Sequence, residues 1–256
     1  MVSPDQRLHR DRYPRASAYS PSWVLENLMG PNVLWLTESL TQVVDLKPGM
    51  RVLDLGCGKA ISSIFLAREF SVQVWAADLW IKPSENWDRI REAGVQDSVF
   101  PISVEAHTMP FADEFFDAIV SFDAYHYFGT DNLYLSSCAS LLKPGGTLGI
   151  VVPGLREEIP GELPEHLAPY WHPDFWSFHS PAWWTRHWDR SKLVDVTMAD
   201  LVPDGWKDWL DWLEICDQLG YRSDPQEAEM VRVDAGRNLG FSRIVSTRRA
   251  AQASLS

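Results

Sequence analysis

Gly56 and Gly58 flank Cys57 directly after the short apolar run Val52-Leu53-Asp54-Leu55, and Asp78 follows Gly58 by 20 residues, at the end of a second apolar run. That combination suits nucleotide recognition. A turn without side chains lets a ligand approach the backbone, the next helix aims its N-terminus there, and an acid ending the next strand can accept both ribose hydroxyls. The two glycines alone read equally well as an ordinary strand-to-helix turn, and it is the register of Asp78 that favours a ligand site. A dinucleotide fingerprint places a third glycine three residues after the second, where this chain has Ile61, so NAD is disfavoured. Cys57 would line the same cleft as a small filler rather than as a nucleophile.

Other reactive residue types carry weaker signals. His172, His179 and His187, with Asp174 nearby, are separated by seven and eight residues, which matches no zinc spacing, and no cysteine pair joins them. The expectation is no metal. Cys57, Cys138 and Cys216 are an odd number without paired spacing, and no apolar signal core follows Met1, so a reducing cytoplasm is expected. Arg243, Arg248 and Arg249 read as a solvated tail.

The elements that must position these residues alternate. Val52–Leu55, Val72–Ala77, Val99–Val104, Phe116–Phe122 and Thr147–Val152 carry buried-strand patterns, with helical patterns over residues 60–70, 85–93 and 131–142 between them. Such alternation implies βαβ units, right-handed crossovers and a parallel sheet. Two further strands are expected at Leu193–Ala199 and Phe241–Ser246, and a strong amphipathic helix at Trp206–Leu219. The predicted fold is α/β: a Rossmann-like doubly wound sheet, mostly parallel with an antiparallel last strand, plus an N-terminal helical cap and a Trp-rich insertion. Residues 1–48 read as arm and cap, 49–153 as the cofactor-binding core, and 154–256 as a Trp-rich lid or substrate segment completing the same domain. Within the cap, Met1 to about Pro21 shows no apolar periodicity and reads as a mobile or weakly docked arm. Two helices follow between Ser22 and Val44, broken by Gly30-Pro31.

Composition narrows the function. The chain has 256 residues, 45% of them apolar, and 35 acidic against 23 basic side chains give a formal charge of -12. Disorder is excluded, no apolar run is long enough to span a membrane, and the acidic balance disfavours nucleic acid, which leaves small molecules as the expected partners. Eight of the 13 tryptophans fall between Gly154 and Leu213. Trp171, Trp176, Trp183, Trp184 and Trp188 could stack on a planar acceptor or attract a methylated cation, and could equally form a compact lid by packing on one another.

Val52-Leu53-Asp54-Leu55-Gly56-Cys57-Gly58-Lys59-Ala60 resembles the first motif of the class I S-adenosylmethionine-dependent methyltransferases. The resemblance runs from about Met50 to Pro153. It continues through Val74-Trp75-Ala76-Ala77-Asp78, Glu105-Ala106-His107-Thr108-Met109-Pro110-Phe111, Phe116-Asp117-Ala118-Ile119-Val120-Ser121 and Leu141-Leu142-Lys143-Pro144-Gly145-Gly146-Thr147. It implies S-adenosylmethionine as cofactor. Asp54 would accept from the cofactor's amino group or a water on it, Gly56, Cys57 and Gly58 would flank the methionine part, and Asp78 would hold the ribose. Leu79 or Trp80 would pack on adenine, Glu105 and Ala106 would meet its edge, and Phe122 would close the site at the end of strand four. Ala60, where many members have glycine, and Lys59, beside a cationic ligand, depart from the pattern.

The same resemblance places the methyl acceptor beyond strand four, at Phe122-Asp123-Ala124-Tyr125-His126-Tyr127-Phe128. His126 is the candidate base, since its pKa class suits proton removal near neutrality and a flanking acid could orient it, although a structural histidine bonded to nearby backbone fits equally. Tyr125 would close over the cofactor. The expected activity is methyl transfer to a small acceptor, planar or cationic, by in-line displacement, and nothing in the pattern selects N, O, C or S. Two alternatives stand beside it: an acyl-chain enzyme of the cyclopropane-synthase type, and a non-catalytic S-adenosylmethionine-binding partner protein.

Overall fold

The structure is a computed structural model that describes residues 7–221 and 225–250. Seven strands form one sheet: β1 (Arg51–Leu55), β2 (Gln73–Asp78), β3 (Val99–Ser103), β4 (Phe116–Phe122), β5 (Leu142–Leu155), β6 (Val194–Leu201) and β7 (Leu239–Arg248). Their order is β3-β2-β1-β4-β5-β7-β6, with β1 to β5 parallel and β7 antiparallel to both its neighbours. The expected sheet, with its antiparallel last strand, is therefore present. Lys143-Pro144-Gly145-Gly146 does not precede β5 but lies within it, where the pairing with β4 shifts register.

Eight α-helices of the described residues surround the sheet: α1 (Pro21–Glu26), α2 (Val33–Thr41), α3 (Ile61–Phe70), α4 (Pro83–Glu92), α5 (Tyr134–Ser140), α6 (Pro181–Asp189), α7 (Gly205–Gln218) and α8 (Pro225–Asp234). Successive strand residues point to opposite faces, which divides the interior in two. Val52, Val74 and Val120 pack on one face with Leu40 of α2 and Ile64 of α3. Leu53, Leu55 and Ile119 pack on the other with Tyr134 and Cys138 of α5 and Trp184 and Trp188 of α6. The two tryptophans are wholly buried. This part of the Trp-rich segment is core, as the packing alternative held, and α6 itself went unread because prolines and aromatics hid its period.

Two expectations are corrected. The arm up to Pro21 is docked: Tyr13 and Ala16 are buried, and the Glu38 carboxylate accepts from the backbone N–H groups of Arg15 (3.1 Å) and Ala16 (2.7 Å). Arg7 pairs with Asp211 (3.1 Å) and Glu214 (2.9 Å), Arg10 with Asp208 (3.2 Å) and Asp211 (2.7 Å), and Arg12 with Asp208. The first six residues lie outside the described ones. Nor is Arg243 part of a solvated tail. It is buried on β7 between two strands, and it donates to both oxygens of Asp200 (2.9 and 2.6 Å) and to the Ser39 carbonyl (2.7 Å).

Candidate active site

β1 ends in Gly56-Cys57-Gly58, with φ of +75° and +53° at the two glycines, and α3 begins three residues later. Left-handed backbone at both positions is what glycine permits. There is also no room for a side chain: a Cβ on Gly56 would lie 2.3 Å from the Ala124 Cβ, and one on Gly58 2.7 Å from the Met29 sulfur. This turn is the floor of a cavity of about 420 Å³, within the usual range for a small-molecule site. The C-terminal ends of β1, β2 and β4 and the loop after β3 open into it.

The sequence-derived residues fall into two groups. Gly56, Cys57, Gly58, Asp78, Leu79, Trp80, Glu105, Ala106 and Phe122 all line the cavity. Asp78 is buried, accepting from Gly58 N on one oxygen (2.8 Å) and from Trp80 N (2.8 Å) and Ile81 N (2.9 Å) on the other. A carboxylate has about four acceptor positions, so three backbone donors leave one toward the cavity. Glu105 receives the His107 N–H (2.9 Å) and pairs with its ring (2.8 Å), and this hydrogen bond holds its carboxyl below the ordinary value. Burial pushes the Cys57 thiol well above its ordinary value, which suits a filler.

Asp54, Tyr125 and His126 do not line the cavity. Asp54 is fully buried beneath the turn, where one oxygen accepts from the Ser62 and Ser63 hydroxyls (2.6 Å each) and the other has no partner. Burial outweighs the two hydroxyls and raises its pKa to about 6. Tyr125 does not close over the cleft: its ring is in the opposite core, edge-on to Tyr134, Trp184 and Trp188 at 5.6 to 5.8 Å. His126 is buried between Tyr127 (4.0 Å between ring centres) and Phe178 (5.7 Å), its Nδ1 without a partner, and burial lowers its pKa to about 3. No carboxylate orients it among the described residues. The turn 125–127 is a single 3₁₀ turn, whose three residues point in three directions, and Tyr127 is the one on the cavity.

The roof falls within the segment read as a helical cap and the acceptor-side wall within residues 122–128; what the sequence did not supply is the contacts that hold them. The α1–α2 connection covers the cleft: Met29 stands over Gly58, and Trp212 of α7 donates to the Gly30 carbonyl (2.8 Å). Arg89 of α4 holds the Asn27 side chain (2.8 Å). Lys59, on the cavity wall, donates to the Glu26 carbonyl at the end of α1 (3.1 Å). Asp123, immediately after β4, has φ +55° and lines the cavity. Left-handed backbone at a non-glycine residue is strained, and Asp tolerates it better than most.

The three histidines weighed as ligands are engaged separately: His172 with the Asp174 N–H (3.3 Å), His179 with Glu158 (3.0 Å) and His187 with the Gly129 carbonyl (3.1 Å). Among the described residues, no group of three or more His, Cys, Asp or Glu could hold a metal ion.

Comparison with known proteins agrees with this geometry. Residues 53–150 match a family model described as a methyltransferase domain. Methyltransferase GfsG of Streptomyces halstedii is 31% identical over 128 residues, 48% of this chain and 46% of that protein. The 27-O-demethylrifamycin SV methyltransferase of Amycolatopsis mediterranei is 30% identical over 116 residues, 45% of this chain and 43% of that protein. The chain thus matches somewhat less than half the length of these relatives. A phosphoethanolamine N-methyltransferase from Haemonchus contortus, solved with S-adenosylhomocysteine, superposes with a TM-score of 0.72 at 19% identity, over 98% of this chain and 61% of that one. A likeness at that identity speaks for the fold. Strand order, glycine turn and family match converge on residues 53–150, the part of the chain that matches a methyltransferase domain.

Proposed function

We propose that the protein transfers a methyl group from S-adenosylmethionine to a small-molecule acceptor by in-line displacement. The observation that carries this reading is the convergence of the glycine turn, Asp78 and the Glu105-Ala106 loop on one roofed cavity. The residues fit the cofactor: a cradle that a Cβ on either glycine would fill, one spare acceptor position on Asp78, and an orphaned oxygen on Asp54 beneath the turn. A roofed cavity of this size suits a small acceptor. The relative named for 27-O-demethylrifamycin SV supports that class. Three free, buried cysteines suit a reducing cytoplasm. Among the described residues no helix is long and apolar enough to cross a membrane.

When bound, S-adenosylmethionine supplies a methyl carbon activated by a sulfonium. The protein's task is then alignment and exclusion of water. The free acceptor position of Asp78 would hold the ribose, Leu79 and Trp80 would pack on the adenine, and Glu105 and Ala106 would meet its edge. Asp54, off the cavity wall, would act through a water on its free oxygen. Met29 and Gly30 close the roof, and Phe122 closes the wall at the end of β4.

Calorimetric titration of S-adenosylmethionine and S-adenosylhomocysteine into the wild type and Asp78→Ala tests this. Binding to the wild type, weakened in the variant by about 1 to 3 kcal/mol, is expected. No binding of either compound to the wild type would remove the reading.

A further inference from the structure

Asp123 is a carboxylate on the cavity without a counter-charge. Among the described residues no hydrogen-bond donor reaches its side chain, although its backbone N–H is used by the Val151 carbonyl (2.9 Å). The basic residues on the cavity wall are committed elsewhere, Lys59 to the Glu26 carbonyl and His107 to Glu105. Gly30 lies against the carboxylate: a Cβ there would sit 2.4 Å from Oδ2. The roof therefore packs against the Asp123 carboxylate without giving it a partner.

Its surroundings add negative charge and aromatic faces. Glu227 of α8, which accepts from the Trp209 indole (2.7 Å), is near enough for its charge to act on Asp123. Burial, and then Glu227, hold the Asp123 carboxyl well above the ordinary carboxylate range. Tyr127 and Trp80 are both largely exposed on the cavity rim, with ring centres 6.4 Å apart. A carboxylate without a donor, such as Asp123, beside electron-rich ring faces attracts a positively charged nitrogen.

Resting on the methyl-transfer reading above, we propose that the acceptor is an amine and that Asp123, with Tyr127 and Trp80, recognises the positive charge its nitrogen gains. As the nitrogen lone pair forms the N–CH₃ bond, the C–S bond breaks and its electron pair stays on sulfur, so positive charge moves from sulfur to nitrogen. A carboxylate at this end is complementary to that developing charge rather than to the neutral amine. The product, a more methylated ammonium, is the species this wall holds best.

The test uses the full chain saturated with S-adenosylhomocysteine and two probes of one shape: choline, which carries a quaternary ammonium, and 3,3-dimethyl-1-butanol, its uncharged isostere. Calorimetry should show choline binding about tenfold tighter, the scale of a desolvated cation–aromatic and ion-pair contact. Asp123→Asn should abolish the preference while leaving S-adenosylhomocysteine affinity within about twofold. Asn also tolerates the left-handed backbone, so the fold should survive. Equal binding of the two probes, or a preference that survives Asp123→Asn, would overturn the proposal. So would Asp123→Asn weakening S-adenosylmethionine but not choline, since the carboxylate would then serve the sulfonium. Failure of S-adenosylhomocysteine to bind at all removes the methyl-transfer reading instead, and is seen before either probe is added.

Discussion

Asp78 and Asp123 end two strands of one sheet and face one cavity, yet the protein treats them oppositely. Asp78 is largely satisfied by the backbone, three N–H groups from two turns, and so fixes the shape of the glycine turn and of the loop after β2. Asp123 receives nothing among the described residues, and its backbone is held in a costly conformation. A pre-satisfied carboxylate builds a site and binds with what capacity remains. An unsatisfied one is tolerated for what it will meet. The cofactor half of the cleft is thus organised before a ligand arrives, whereas the other half keeps its electrostatic cost until one does.

The most direct way to break this contrast is to delete each carboxylate and measure stability without ligand. Asp78→Ala takes the acceptor from three part-buried backbone donors, and should cost about 3 kcal/mol in urea unfolding at neutral pH. Asp123→Ala removes an unpaired carboxylate and should leave the protein at least as stable as wild type. Similar losses in the two variants would mean that Asp123 has a partner, and the contrast would fall.

The better-organised half was also the more legible. Gly56, Gly58 and Asp78 belong to one βαβ unit, so their mutual geometry follows from spacing along consecutive elements. The alternation of apolar runs likewise placed all seven strands. The acceptor half depends on contacts no spacing encodes: Trp212 bonds Gly30 across 182 residues, and Gly30 in turn lies against Asp123. His126 and Tyr125 were misplaced for a local reason. In one 3₁₀ turn, neighbouring residues face different compartments, and Tyr127, not His126, meets the cavity. The arm before Pro21 looked unstructured because Arg7, Arg10 and Arg12 have no apolar period. Their partners form the acidic face of α7, which folding alone brings near.

Asp54 sharpens the comparison because it is half of each case, with one oxygen held by two serines and the other orphaned. The folded protein keeps the Asp54 proton up to about pH 6, whereas the unfolded chain releases it near the ordinary value of 3.8. Folding therefore takes up a proton between those values. The resulting stabilisation is complete below the lower one and is lost as pH rises through the upper, about 3 kcal/mol by neutrality. Asp54→Asn should remove this slope from urea midpoints measured from about pH 4 to about pH 7. A flat wild-type profile would mean that the orphaned oxygen has a donor, and Asp54 would join Asp78 among the satisfied carboxylates.

The smallest expected effect concerns the roof that the two halves share. Met29 stands over Gly58 and Gly30 over Asp123, and the indole N–H of Trp212 holds the Gly30 carbonyl at 2.8 Å. Trp212 is also packed edge-on against Trp35 of α2, 6.1 Å between ring centres, so the bond ties the connection to α7 through a rigid aromatic contact. Trp212→Phe keeps most of that packing and removes the bond, a loss of about 1 kcal/mol. Because one connection covers both halves, S-adenosylhomocysteine and choline should each bind the variant roughly fivefold more weakly, as calorimetry would measure. A loss confined to choline would mean that the glycine turn and Asp78 hold the cofactor without the roof. The two halves would then differ in how they are closed as well as in how their carboxylates are satisfied.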